Sequence, residues 1–259
     1  MPMTCAYRLM LLAVLSLTSV CAQGALSLTG TRLIFDGRYR EVSLEMRNPG
    51  QDEVLVQAWL SEPLDDETSS VSPRLLPFVV TPLLSRVGAG GRRELRVLYQ
   101  GAGMPDDRES LLHLSVLEIP RRESGNRQLT IAVRQRINVF YRPVGLPGDP
   151  AESAERLNWT MTHNGTGMTQ LQVSNPTAYH VSLESLSLEG VQISDHLLLA
   201  PGARIELPVP ASAQGSGLHR LAFKALTDYG GQRGYCVHLN GQASARARLL
   251  ENHSLQESC

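Results

Sequence analysis

The sequence predicts an all-β chain of two β-sandwiches in series, and three observations carry that prediction. From Ala25 onward, apolar residues come in short alternating runs rather than at a sustained period of 3.6. Glycine, proline, asparagine and aspartate break the runs at close intervals, as at Asp36-Gly37 and Asn48-Pro49-Gly50. The segment Arg142-Pro143-Val144-Gly145-Leu146-Pro147-Gly148-Asp149-Pro150 is hard to place in a central strand, and it separates the runs into two sets.

Ahead of the first run stands a secretory leader. Arg8 supplies a positive flank, the twelve residues from Leu9 to Val20 are largely apolar, and Ala22-Gln23-Gly24 is a small-x-small cleavage pattern. Residues 1–24 therefore read as removed, with the processed chain starting at Ala25. Twelve helical residues reach only about 18 Å against a bilayer core of about 30 Å, which argues against an anchor. Val20 stands where a lipidated Cys21 would need a small residue before it. Processing leaves Cys236 and Cys259 in an oxidising compartment. A disulfide closing the C-terminal segment and two free thiols both fit, because spacing does not test Cα separation.

The first set of runs proposes strands at 32–35, 41–47, 53–60, 94–99, 111–118 and 129–141, enough for one sandwich. The second proposes 157–162, 169–174, 180–188, 204–209, 220–226 and 234–239, a smaller one. The division falls after residue 143, giving units 25–143 and 144–259, with the mostly polar tail from Ala243 unassigned.

Composition narrows the function. With 24 Lys+Arg against 25 Asp+Glu the formal charge is −1, or −2 once Arg8 is lost, so no nucleic-acid partner is expected. Seven histidines are scattered without zinc-site spacing. A Gly-x-Ser-x-Gly elbow, a phosphate loop and a dinucleotide fingerprint are all missing from the sequence. The expectation is a binding protein rather than an enzyme, with no metal, cofactor or small-molecule substrate.

The most informative run is Leu129 to Tyr141, thirteen residues where strands average about five or six. Leu129, Ile131 and Val133 lie on one face, followed there by Ile137, Val139 and Tyr141, while Arg134, Arg136 and Asn138 lie opposite. Either its odd residues all feed the sandwich core, or the strand serves two partners; alternation alone leaves both open.

Several separated stretches carry a resemblance: Thr31-Arg32-Leu33-Ile34-Phe35-Asp36-Gly37, Val56-Gln57-Ala58-Trp59, Thr81-Pro82, Asp107-Arg108-Glu109-Ser110-Leu111, Glu118-Ile119-Pro120, Phe140-Tyr141-Arg142-Pro143, Asn175-Pro176-Thr177 and Asp228-Tyr229-Gly230-Gly231. In this order the chain resembles the PapD-like periplasmic pilus chaperones over nearly its whole processed length. The resemblance implies two immunoglobulin-like β-sandwich domains set at an angle and no enzymatic activity. It also implies pilus subunits and an outer-membrane usher as partners. The apolar edge of the long strand makes pairing of the free protein with itself a further expectation. A subunit lacking one strand would be held by donor-strand complementation. On the family's pattern the donor residues are Leu129, Ile131 and Val133. Its carboxylate clamp falls on Arg32 and on Asn138, where the family carries a lysine, with Arg136 the nearest charge that could substitute. Its interdomain charged trio falls on Glu109, Arg142 and Asp228. The short polar segment from Arg121 to Gln128 resembles the branch with a short loop before the donor strand, whose members usually serve rod-like pili with a tip adhesin. The competing expectation is a surface or adhesive protein of two immunoglobulin-like sandwiches whose long strand is internal.

Overall fold

The computed structural model describes residues 26–63, 75–121, 131–163, 169–213, 217–241, 243–250 and 259. The leader, Leu129 and residues 122–128 lie outside the described residues. Strands β1 (Ser27–Leu28), β2 (Arg32–Asp36), β3 (Glu41–Arg47), β4 (Val54–Ser61), β5 (Phe78–Thr81), β6 (Leu84–Val87), β7 (Arg92–Tyr99), β8 (Ser110–Pro120) and β9 (Val133–Arg142) build the first sandwich. Its two sheets run β1-β3-β7-β5 and β2-β9-β8-β4-β6. Every pairing in it is antiparallel except β2 with β9. Alternation drives the packing: Leu44 and Met46 from β3, Val56 and Ala58 from β4, Leu112, Leu114 and Val116 from β8, and Val139 from β9 all turn inward and are buried. Phe35 sits at the centre, edge-on to Phe78 with ring centroids 5.5 Å apart.

The second sandwich comprises β10 (Asn158–His163), β11 (Thr169–Ser174), β12 (Val181–Leu188), β13 (Val191–Leu199), β14 (Arg204–Pro208), β15 (Leu218–Leu226), β16 (Gln232–Asn240), β17 (Ala245–Arg246) and β18 (Arg248–Leu249). Its sheets run β14-β11-β10-β17 and β13-β12-β15-β16-β18, enclosing Trp159, Phe223 and Tyr235. The chain therefore adopts the two-sandwich, all-β organisation.

Four departures from the sequence expectation have physical causes. The run from 129 to 141 forms a strand only from Val133, and Ile131 and Ala132 lie outside it. The last rung joining β8 to β9 is Glu118 with Val133; β8 runs two residues further, but no described strand lies on the other side of the segment to hold it in a sheet. The edge strand β13 was not anticipated, because Asp195-His196 interrupts its alternation where one face meets solvent. The short strands β5 and β6 flank Pro82 and Leu83, where the chain passes from one sheet to the other. The unassigned tail also has a structural place. Ala245 pairs with Trp159 on β10, and Leu249 pairs with Tyr235 on β16, so the tail crosses between the two sheets of the second sandwich and buries Ala247 and Leu250.

Cys236 and Cys259 are disulfide-bonded, with Cα atoms 5.4 Å apart and a sequence separation of 23. A closed loop of that length stabilises by about 3 kcal/mol through restriction of the unfolded chain. Cys259→Ser is expected to lower the urea midpoint of the second sandwich accordingly under non-reducing conditions, and an unchanged midpoint would show the crosslink to be energetically idle.

Candidate functional site

Two features meet at the boundary between the sandwiches: an unfinished strand and a charged cleft. Along its β8 side, β9 is paired from Val133 to Tyr141. On its other side β2 covers only Asn138 to Arg142, beginning with Arg32 opposite Asn138. No strand among the described residues pairs with that edge between Val133 and Ile137. Over the same stretch the odd-numbered residues leave the core: Val139 is fully buried and Ile137 nearly so, while Val133 is 37% exposed and Ile131 62%. An edge with no described strand beside it and exposed apolar side chains thus coincide on one short segment. The start of the described chain is pinned beside it, with the Leu26 N–H donating to Glu118 Oε2 at 2.6 Å and Gln135 Nε2 donating to the Leu26 carbonyl.

A strand laid on this edge would continue the line of β2. Because β2 runs parallel to β9 and starts at Arg32, an added strand also parallel to β9 would end with its C-terminus facing Arg32. The Arg32 guanidinium lies 5.7 Å from the centre of the Phe140 ring, and its Nε is buried without an acceptor. Burial lowers its pKa, opposed by the charges of Asp228, Glu184 and Glu109. Arg32 and Phe140 line a cavity of 320 Å³ between the sandwiches, together with Arg142, His180, Asp228 and Tyr229. Asn138 and Arg136 precede Phe140 on the same face of β9 and are not among the residues lining the cavity.

Arg142 joins the two halves. Its Nε and Nη2 donate to Glu109 Oε2 at 3.0 and 2.8 Å, and its Nη1 and Nη2 donate to the Asp228 carboxylate at 2.8 and 3.1 Å. Burial works against its charge, but the hydrogen bonds it donates to Asp228 and the charge of Glu109 more than offset it, so its pKa is raised. Glu109, only 3% exposed, spends its other oxygen on His180, accepting from the backbone N–H at 2.9 Å and lying 2.9 Å from Nδ1. The Glu109 N–H donates to the Ala178 carbonyl at 2.8 Å, a backbone bond across the boundary.

Resemblance pointed to Glu109, Arg142 and Asp228, but His180 was missed. The loop that delivers it is built on Asn175, whose buried Nδ2 donates to the carbonyls of Tyr179, Leu199 and Ala200. Its Oδ1 accepts from both the N–H and the hydroxyl of Thr177. Asn175-Pro176-Thr177 was the available signal, since a buried asparagine can satisfy loop carbonyls that no ladder reaches. Tyr179, next in the loop, places its ring 5.1 Å from Arg142 Cζ and donates its hydroxyl to the Gly148 carbonyl in the linker. Across the cleft, Gly230 takes a φ of 78°, and a Cβ there would stand 3.2 Å from Thr31 Oγ1; the β15–β16 turn rests on the first sandwich at that point. Among the described residues there is no cluster suited to a metal and no helix long and apolar enough to cross a membrane.

Comparison with known proteins agrees with this architecture. Residues 25–147 match the family described as pili and flagellar-assembly chaperone, PapD N-terminal domain, and residues 152–236 match the pili assembly chaperone PapD, C-terminal domain. The chain is 35% identical over 235 residues to Chaperone protein FimB/FhaD of Bordetella pertussis, covering 86% of this chain and 91% of the relative. The CupB2 chaperone of Pseudomonas aeruginosa superposes with a TM-score of 0.67 at 30% identity, over 84% of this chain and 100% of that one. A chain from the complex of Salmonella enterica SafA pilin with the SafB chaperone gives a TM-score of 0.68 over 89% of this chain and 99% of that one, and at 24% identity shows likeness of fold. The protein belongs to the PapD-like family of periplasmic chaperones for pilus assembly.

Proposed function

We propose that the protein captures a pilus subunit by lending it the open edge of β9, holds the subunit's terminal carboxylate at Arg32, and passes the subunit to an outer-membrane usher. The observation that carries this reading is the edge from Val133 to Ile137 that no described strand covers, with Ile131 and Val133 exposed and the edge leading to Arg32. A subunit short of one strand exposes an apolar groove and an unsatisfied edge, and one donated strand repairs both. Alternate residues fill the groove, which assigns the task to Ile131 and Val133 and, continuing the alternation, to Leu129. Each such side chain contributes about 1.5–3 kcal/mol before the costs of association. At the clamp Asn138 offers an amide rather than a charge, and Arg136 is the nearest guanidinium on its face. The reading places residues 1–24 as a removed leader and the processed protein in the periplasm, and divides the domains after residue 143. It requires neither turnover nor cofactor. The open edge is also where the free protein would pair with a second copy.

In this reading Glu109, Arg142 and Asp228 fix the angle between the domains. Arg142→Met leaves Glu109 buried without its cation, so stability is expected to fall by about 3–5 kcal/mol in calorimetry, with a broader distribution of shapes in small-angle scattering. Unchanged melting would show that the trio is not a lock.

For capture, the wild type, Ile131→Glu and Arg32→Ala would each be purified from periplasm, checked for folding by circular dichroism and examined for bound proteins by mass spectrometry. Small pilin-like proteins should accompany the wild type and be lost from both variants, which remain folded because Ile131 is exposed. Unfolding by Ile131→Glu would instead mark the strand as internal and favour the surface-protein alternative. A folded wild type that brings down no subunit when the neighbouring secreted proteins are co-expressed would overturn the capture mechanism.

A further inference from the structure

His180 lines the cleft but has no part in the reading above. Its Nδ1 faces Glu109 Oε1, and a carboxylate only accepts, so Nδ1 carries a proton and the ring's other nitrogen is the one that can gain or lose one. The ring packs 5.3 Å from Phe140, the same ring over which Arg32 lies.

The cleft holds no excess of positive charge. Lining it with His180 are Glu109 from just before β8, Arg142 from β9, Arg32 from β2, Asp149 from the linker, and Asp228 and Arg233 from either side of the β15–β16 turn. Glu184 from β12 adds a further negative charge acting on Arg32. Tyr235 also lines the space and stays neutral, since burial pushes its ionisation up. The Arg142 guanidinium is engaged by Glu109 and Asp228, whereas Arg32 has a buried Nε still without an acceptor. An incoming carboxylate therefore meets no excess positive charge while the imidazole is neutral, and Asn138 beside Arg32 adds none. An imidazolium at His180 tips the balance by one unit.

We propose that His180 is a second ligand for the terminal carboxylate of the bound subunit, working with Arg32, so that the clamp tightens as the surroundings acidify. The inference rests on the capture reading and adds to it the group that supplies the missing charge.

The test uses the full chain purified from periplasm, with acetylated trialanine as the probe and its C-terminal amide as the control. Binding is followed by nitrogen-15 NMR of the Arg32 Nε–H and the His180 ring at about pH 5.5 and about pH 8, where the terminal carboxylate stays ionised and an imidazole changes charge. The carboxylate probe should bind about fivefold more tightly at the lower pH, the amide equally at both. Saturation with the carboxylate probe should raise the titration midpoint of His180 in the wild type, because the ligand favours the charged ring. His180→Asn keeps an N–H for Glu109 without titrating, and in it the pH dependence should vanish. Equal affinity at both pH values, a dependence that survives in His180→Asn, or an unmoved His180 midpoint would each overturn the proposal. Carboxylate binding preferred over amide at both pH values without pH dependence would remove His180 alone. Carboxylate and amide binding alike throughout would remove the Arg32 clamp with it.

Discussion

Arg142 bridges the two sandwiches, because one planar guanidinium takes a carboxylate from each: Glu109 from the first and Asp228 from the second. Three buried or half-buried charges are costly to desolvate singly, and the cost is offset only while all three are together. The position of Arg142 at the end of β9 matters as much as its charge, since the same strand carries the open edge at its other end. A shift at the junction is therefore transmitted along a rigid ladder rather than through a loose linker.

The cleft inherits its contents from that junction. Asn175 shapes the loop that sets Tyr179 beneath Arg142 and His180 against Glu109, and the β15–β16 turn brings Asp228 and Tyr229 over Arg32. The Asp228 and Glu109 carboxylates are hydrogen-bonded to Arg142 and reach Arg32 only through their charge, which leaves the buried Arg32 Nε without an acceptor.

Much of this was legible in the sequence where a residue's neighbours are set by alternation alone. Strands such as β3 and β11 show their inward residues directly, because a period of two fixes the face. Edge strands were harder: β13 has Asp195 and His196 within it, as its exposed side demands. The tail from Ala243 was opaque, since Ala247 and Leu250 are apolar residues in a polar stretch, and their burial depends on the tail's pairing with β16 and with β10, far back in the chain. At the site, Arg32, Glu109, Arg142 and Asp228 stood out only through resemblance, because isolated charges have no periodicity to announce a partner. His180 lacked even that, its role being set by a loop folded around an asparagine.

The parallel pairing of β2 with β9 joins residues 106 positions apart, Arg32 with Asn138 and onward. Closing a loop of that length carries an entropic cost, whereas the hairpin of β8 with β9 brings together residues as few as 15 positions apart. Without β2, β9 would have one edge open along its whole length, the same deficiency that the protein is proposed to remedy in its subunit. The chain completes that edge with a strand from its own beginning over only half its length. In the proposed reading the remaining five residues, Val133 to Ile137, turn an ordinary folding hazard into the means of capture.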